Sequence, residues 1–197
     1  MTTPIVDGVI LAAGRSTRMA EPKPTLTVGP VTFLERAAIT LRKAGCRRTY
    51  IVANEAAAWL DRATQLDLDV VINPEPESEQ IDSLRLVLRQ LPGDTAGVLV
   101  LPVDLPLIAE STATAVVASF VAHRAPLVLP FHNTVAGHPV LLGRELFDIV
   151  LTSTFEEGLR SLIMDHAHDL QEVRVDDEGI LIDIDSPDDY SRSIEQS

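Results

Sequence analysis

Three cations, Arg15, Arg18 and Lys23, follow directly on the run Leu11-Ala12-Ala13-Gly14. Small side chains at Ala12, Ala13 and Gly14 let a ligand approach the backbone closely. Exposed N–H groups followed by cations suit a polyphosphate. The same residues would also serve as a plain basic surface loop. Two better-known phosphate loops are excluded: no second glycine follows Gly14 before Lys23, and G-x-G-x-x-G is absent. The carboxylates form two further groups. Asp104 lies between Pro102 and Pro106, just past the apolar run Val98 to Leu101, and must find water, a cation or hydrogen-bond donors. It would equally cap the next turn. In Ile182-Asp183-Ile184-Asp185, alternation places both Asp side chains on the face opposite the isoleucines. Asp188 and Asp189 suit the first turn of a helix, where the dipole favours negative charge. His138, after Gly137 and before Pro139, and Arg160, after Gly158, complete the candidates. The histidine would also serve structurally, and the arginine would also lie on a solvated face.

The elements that must position these groups alternate. Val6 and Val9 to Leu11 read as a buried, parallel-type strand. Thr32 to Lys43 reads as a helix, opened by the capping box Thr32/Glu35 and stopped at Gly45. Strands at 48–53 and 68–72, helices at 55–66 and 83–88, a strand at 97–101 and a helix at 109–122 follow. Shorter strands are expected at 127–129 and 139–142, and helices at 146–151 and 158–166. Two late strands, 172–175 and 180–184, are expected to flank the turn Asp177-Glu178-Gly179, and Ser186-Pro187 opens a last helix. This order implies a single-domain α/β protein, residues 1–197, with a doubly wound, mostly parallel sheet and a late antiparallel addition. Its ligand crevice should lie along the strand C-termini.

Composition narrows the function classes. A formal net charge of −13 argues against general binding to nucleic acid or anionic membranes, and makes a local cluster of cations more telling. The single cysteine, Cys46, allows no internal disulfide and no Cys-rich zinc site. The N-terminus reaches its first strand without a charged-then-apolar leader, and no apolar run is long enough to cross a bilayer. The expected location is the cytoplasm.

The stretch L-A-A-G-R-S-T-R-M-A-E-P-K-P-T-L resembles the signature of the Rossmann-like nucleotidyltransferases, most closely the MobA-like branch and, within it, the molybdenum cofactor cytidylyltransferases. The resemblance runs from residue 5 to about residue 190. It implies a nucleotide-diphospho-sugar transferase-like fold. It also implies transfer of a nucleotidyl group to a phosphorylated acceptor, such as a pterin, with release of pyrophosphate. By the same resemblance the triphosphate is bound by Leu11, Ala12, Ala13, Gly14, Arg15, Ser16, Lys23 and Ser83, with Arg18, Lys23 and Asp104 as catalytic residues. P-V-D-L-P-L-I resembles the element whose Asp holds Mg²⁺, and D-I-D-S-P-D-D the element whose second Asp corresponds to Asp185. Asp104 and Asp185 are therefore the expected metal ligands, converging on one ion, with Asp183 as the alternative to Asp185. Without that ion they are expected to repel each other, so that Asn at either position leaves the metal-free protein unchanged or slightly more stable. G-H-P-V-L-L resembles the acceptor-pocket element, and Gly158 and Arg160 match a worn G-D-x-G-A-R, which makes His138 and Arg160 acceptor ligands. Ala13, where the guanylyl branch has glycine, points to CTP over GTP. One stretch departs from the pattern: Asn73, Pro74, Gln80, Ser83 and Leu84 match it, but Pro76 replaces an aromatic residue and Glu79 a glycine. That departure favours a rival reading, a non-catalytic factor that hands nucleotide or cofactor to a molybdoenzyme partner.

Overall fold

The structure, a computed structural model, describes residues 3–13, 19, 21–55, 57–75 and 79–194. Strand β1 (Ile5–Leu11) is followed by a 3-10 turn at Lys23–Thr25 and a hairpin of β2 (Thr27–Val28) and β3 (Val31–Thr32). Next come α1 (Phe33–Lys43), β4 (Thr49–Ala53), α2 (Leu60–Gln65), β5 (Asp69–Ile72), α3 (Gln80–Leu88) and β6 (Thr95–Pro102). Then follow α4 (Glu110–His123), β7 (Leu127–His132), β8 (Val135–Ala136), β9 (Val140–Gly143), α5 (Phe147–Thr152), α6 (Leu159–Asp165), β10 (Leu170–Arg174) and α7 (Pro187–Ser193).

The main sheet runs β10-β7-β9-β6-β1-β4-β5, with β8 attached to β7. Strand β1 pairs in parallel with β4 and β6, β4 with β5, and β10 with β7. Only β9 and the short β8 run the other way: β9 is antiparallel to both β6 and β7. The antiparallel addition thus lies inside the sheet. Alternation along β1 sends Val6, Ile10 and Ala12 to one face, where they pack with Phe33, Leu34 and Leu41 of α1 and Val116 and Phe120 of α4. Val9, Leu11 and Ala13 go to the other face, against Leu84 and Val87 of α3 and Val150 of α5. Helices therefore cover both faces of one sheet. No helix among the described residues is long and apolar enough to cross a membrane.

Local signals act as expected at several ends. Thr32 Oγ1 accepts from the Glu35 N–H at 3.2 Å, and Glu35 Oε2 accepts from the Thr32 N–H at 2.7 Å, closing the capping box. Ser186 accepts from the Asp189 N–H at 3.2 Å, with Pro187 at the first helical position of α7. Two expectations are corrected. The helix expected over 55–66 begins only at Leu60, because tight turns at Ala57 and Leu60 precede it and its first residue has no side-chain cap. The strand expected over 180–184 is instead a 3-10 turn, Glu178–Leu181, followed by extended chain. Its backbone groups bond to different segments: the Ile180 carbonyl accepts from the His138 N–H at 3.2 Å, while the Ile184 N–H donates to the Asp104 carbonyl at 2.8 Å. Residues 182–185 therefore never form a ladder.

At the sheet end remote from Leu11, fully buried Asp7 joins three segments. It accepts from Arg47 Nη2 at 2.7 Å, Thr95 Oγ1 at 2.7 Å and the Arg48 N–H at 3.2 Å. Arg47 also reaches Asp94 at 2.9 Å.

Candidate active site

The C-terminal ends of β1 and β6 lie side by side, with Leu11 in register with Pro102. Beyond them the Leu11 carbonyl accepts from the Val103 N–H at 3.1 Å, and the Ala12 N–H donates to the Val52 carbonyl at 3.1 Å. Leu11, Ala12 and Ala13 are buried. The expected phosphate-loop residues Gly14, Arg15, Ser16 and Arg18 lie outside the described residues.

Lys23 opens the 3-10 turn, which is set by Pro22 before it and Pro24 within it. The Thr25 N–H donates to the Pro22 carbonyl at 2.9 Å and the Leu26 N–H to the Lys23 carbonyl at 3.1 Å. Asp104 follows β6 in a turn that the Leu105 N–H closes onto the Pro102 carbonyl at 3.4 Å. Asp185 arrives from the far end of the chain. Two glycines allow that approach: a Cβ on Gly179 would stand 2.3 Å from the Leu107 carbonyl oxygen, and one on Gly137 would stand 2.4 Å from that of Ile180. Asp177 holds the same segment down, accepting from the Ala109 N–H at 2.9 Å and from Thr112 Oγ1 at 2.5 Å. On its other side α7 is fastened to the hairpin after Lys23. Tyr190 Oη donates to the Thr27 carbonyl at 2.8 Å, and its ring stacks on Phe33 at 6.2 Å. In the sequence, Tyr190 is marked only as an aromatic residue in a chain with few of them.

These supports bring together side chains 81 and 162 positions apart. Lys23 Nζ donates to Asp104 Oδ2 at 2.9 Å and to Asp185 Oδ1 in a still shorter contact. The three side chains are 14%, 21% and 35% exposed. Burial works against the Lys23 charge, but the two carboxylates outweigh it and hold the ammonium above its ordinary pKa. The expected repulsion between the carboxylates is therefore corrected: the Lys23 ammonium stands between them, and its attraction to both outweighs it. Two carboxylates converging on one positive centre are hard oxygen donors of the kind a small divalent cation takes, and the ammonium marks the point they share. They fit such an ion in part, since no group of three His, Cys, Asp or Glu converges among the described residues. Water or substrate oxygens would complete the shell.

His138 and Arg160 meet in one neighbouring cavity of about 790 Å³, also lined by Glu79, Ile81, Leu129 and Gly158. Burial lowers the His138 pKa more than the nearby Asp104 raises it, so the imidazole is neutral at pH 7. Arg160 is largely exposed, with Nε 3.5 Å from Glu157 Oε2. Ser83, expected at the nucleotide, is buried, and its hydroxyl accepts from Asn73 Nδ2 at 3.0 Å. Asn73 Oδ1 in turn accepts from the Glu75 N–H at 2.9 Å, so Ser83 supports the loop after β5.

Residues 8–171 match the model of the MobA-like NTP transferase domain. The molybdenum cofactor cytidylyltransferase of Escherichia coli (strain K12) is 23% identical over 187 residues, which cover 94% of this chain and 93% of that protein. Among solved structures, Rv0371c from Mycobacterium tuberculosis H37Rv superposes with a TM-score of 0.85 at 28% identity, covering 98% of this chain and 99% of that one. Its complex with manganese gives a TM-score of 0.82 at 27% identity, with both chains fully covered. With helices on both faces of a mostly parallel sheet, and candidate side chains gathered past the ends of β1 and β6, the chain belongs to the MobA-like NTP transferase family.

Proposed function

We propose that this chain transfers CMP from CTP to a phosphorylated acceptor of the molybdopterin kind, releasing pyrophosphate in a Mg²⁺-dependent reaction. The observation that carries the reading is the meeting of Lys23, Asp104 and Asp185 past the ends of β1 and β6. The likeness to the E. coli cytidylyltransferase supports the nucleotidyl chemistry, and the manganese complex of Rv0371c supports a divalent cation. Asp104 and Asp185 would hold the Mg²⁺, which when bound supplies positive charge to phosphate oxygens.

In this reading the backbone from Ala12 to Ser16 cradles the triphosphate, and Arg18 and Lys23 offset its charge. An acceptor phosphate oxygen bonds to the α-phosphorus while the bond to the bridging oxygen of pyrophosphate breaks. No proton has to move and no enzyme-bound intermediate forms. The residues act by positioning and electrostatics. His138 and Arg160 line the cavity assigned to the acceptor.

Two measurements test this. Mg²⁺-dependent release of pyrophosphate from CTP with a panel of phosphorylated acceptors is the expected activity. Its absence, with nucleotide still bound, would favour the non-catalytic carrier reading that Glu79 suggests. In thermal melts with Mg²⁺, CTP should stabilise the protein more than GTP, because of Ala13. At 100 times its dissociation constant the gain is about 2.7 kcal/mol. Equal or greater stabilisation by GTP would end the cytidylyl assignment.

A further inference from the structure

Among the described residues, the cavity assigned to the acceptor is lined by more carboxylates than cations. Glu79 and Glu157 both line it, and Arg160 is the one cation among the described residues that do. That cation is already offset, since Glu157 Oε2 lies 3.5 Å from Arg160 Nε. Glu79 opens α3, where its N–H donates to Asp82 Oδ2 at 3.3 Å, and its Oε2 lies 3.2 Å from where a Cβ on Gly158 would stand. The carboxylate thus covers the start of α6 inside the cavity, and the described residues that line it carry net negative charge. His138 also lines it and, being neutral, adds no charge.

A ligand that satisfies such a wall brings donors, and one carrying a second anion meets repulsion. We propose that this cavity takes the body of the acceptor and selects one that is uncharged or cationic and rich in hydroxyl or amino groups, with Glu79 as the specificity-determining residue. The inference rests on the nucleotidyltransferase reading above, and narrows it to a phosphomonoester whose only strong anion is the reacting phosphate.

The test uses the full chain with Mg²⁺ and the non-hydrolysable analogue α,β-methylene-CTP. Three sugar phosphates that differ in the charge of the sugar are titrated by calorimetry: glucosamine 1-phosphate, glucose 1-phosphate and glucuronic acid 1-phosphate. The expected order of affinity is ammonium first, neutral sugar second and carboxylate last, with roughly threefold between successive members. Glu79→Gln should shrink the span by about threefold, and Glu79→Lys should reverse the order. Both variants should bind the analogue itself as the wild type does, which shows that they fold. Tightest binding of the glucuronic acid phosphate, an order unchanged in both variants, or no binding of any of the three would overturn the proposal while a bound analogue leaves the nucleotidyltransferase reading standing. Failure of the wild type to bind the analogue would overturn both.

Discussion

Replacing Lys23 by Met keeps most of the side chain's length and removes its charge, leaving Asp104 and Asp185 to face each other. The contact to Asp104, at 2.9 Å between side chains 14% and 21% exposed, is worth about 1.5–3 kcal/mol as a charge-assisted hydrogen bond. The contact to Asp185, which is 35% exposed, is discounted for solvent to about 1 kcal/mol or less. Against these losses stands the relief of no longer burying an ammonium, the largest single influence on Lys23. The net expectation is a loss of roughly 2 kcal/mol in metal-free buffer at neutral pH. Mg²⁺ should then stabilise the variant more than the wild type, because the ion would no longer compete with an ammonium for the same two carboxylates. Urea denaturation with and without Mg²⁺ measures both effects, as shifts in the midpoint at constant slope. A variant as stable as the wild type without metal, or equal stabilisation of the two proteins by Mg²⁺, would refute the reasoning.

Other outcomes follow from the same contacts. Asp7→Ala leaves Arg47 and Thr95 without their buried acceptor and should cost about 3–5 kcal/mol in urea denaturation, with little change in nucleotide affinity, since Asp7 lies at the opposite end of β1 from Leu11. Asp177→Ala removes the acceptor for the Ala109 N–H and Thr112 Oγ1 at the start of α4, which has no cap of its own, and should cost about 1–2 kcal/mol by the same measurement. Burial, with Asp7 adding to it, pushes the Cys46 thiol up to about 12, so iodoacetamide at pH 8 should label it far more slowly in the native protein than in urea. Above pH 9 the unfolded thiol ionises while the native one keeps its proton, so stability should fall with rising pH, and Cys46→Ser should flatten that fall.

Much of this protein is legible locally. Continuous apolar runs such as Val9 to Leu11 and Val98 to Leu101, the Thr32/Glu35 box and the Ser186-Pro187 start each depend on residues within a turn or two, so strands, helices and their ends can be read in order. The residue types around Lys23, Asp104 and Asp185 also signal their chemistry. What no local pattern carries is which segments meet. Strand β9 enters between β6 and β7 because its hydrogen-bonding edges find partners there, and its own residues do not specify that place. Residues 180–184 alternate like a strand, yet their backbone groups are taken by His138 and Asp104, and no ladder remains for them. The pairing of Lys23 with two carboxylates likewise depends on one N–H from Ile184, two glycines flat enough to let the chain pass, and the Tyr190 hydroxyl on Thr27. Local conformation is set by neighbours in sequence, whereas the site depends on hydrogen bonds and packing between segments as far as 162 positions apart, which only the folded chain brings within reach.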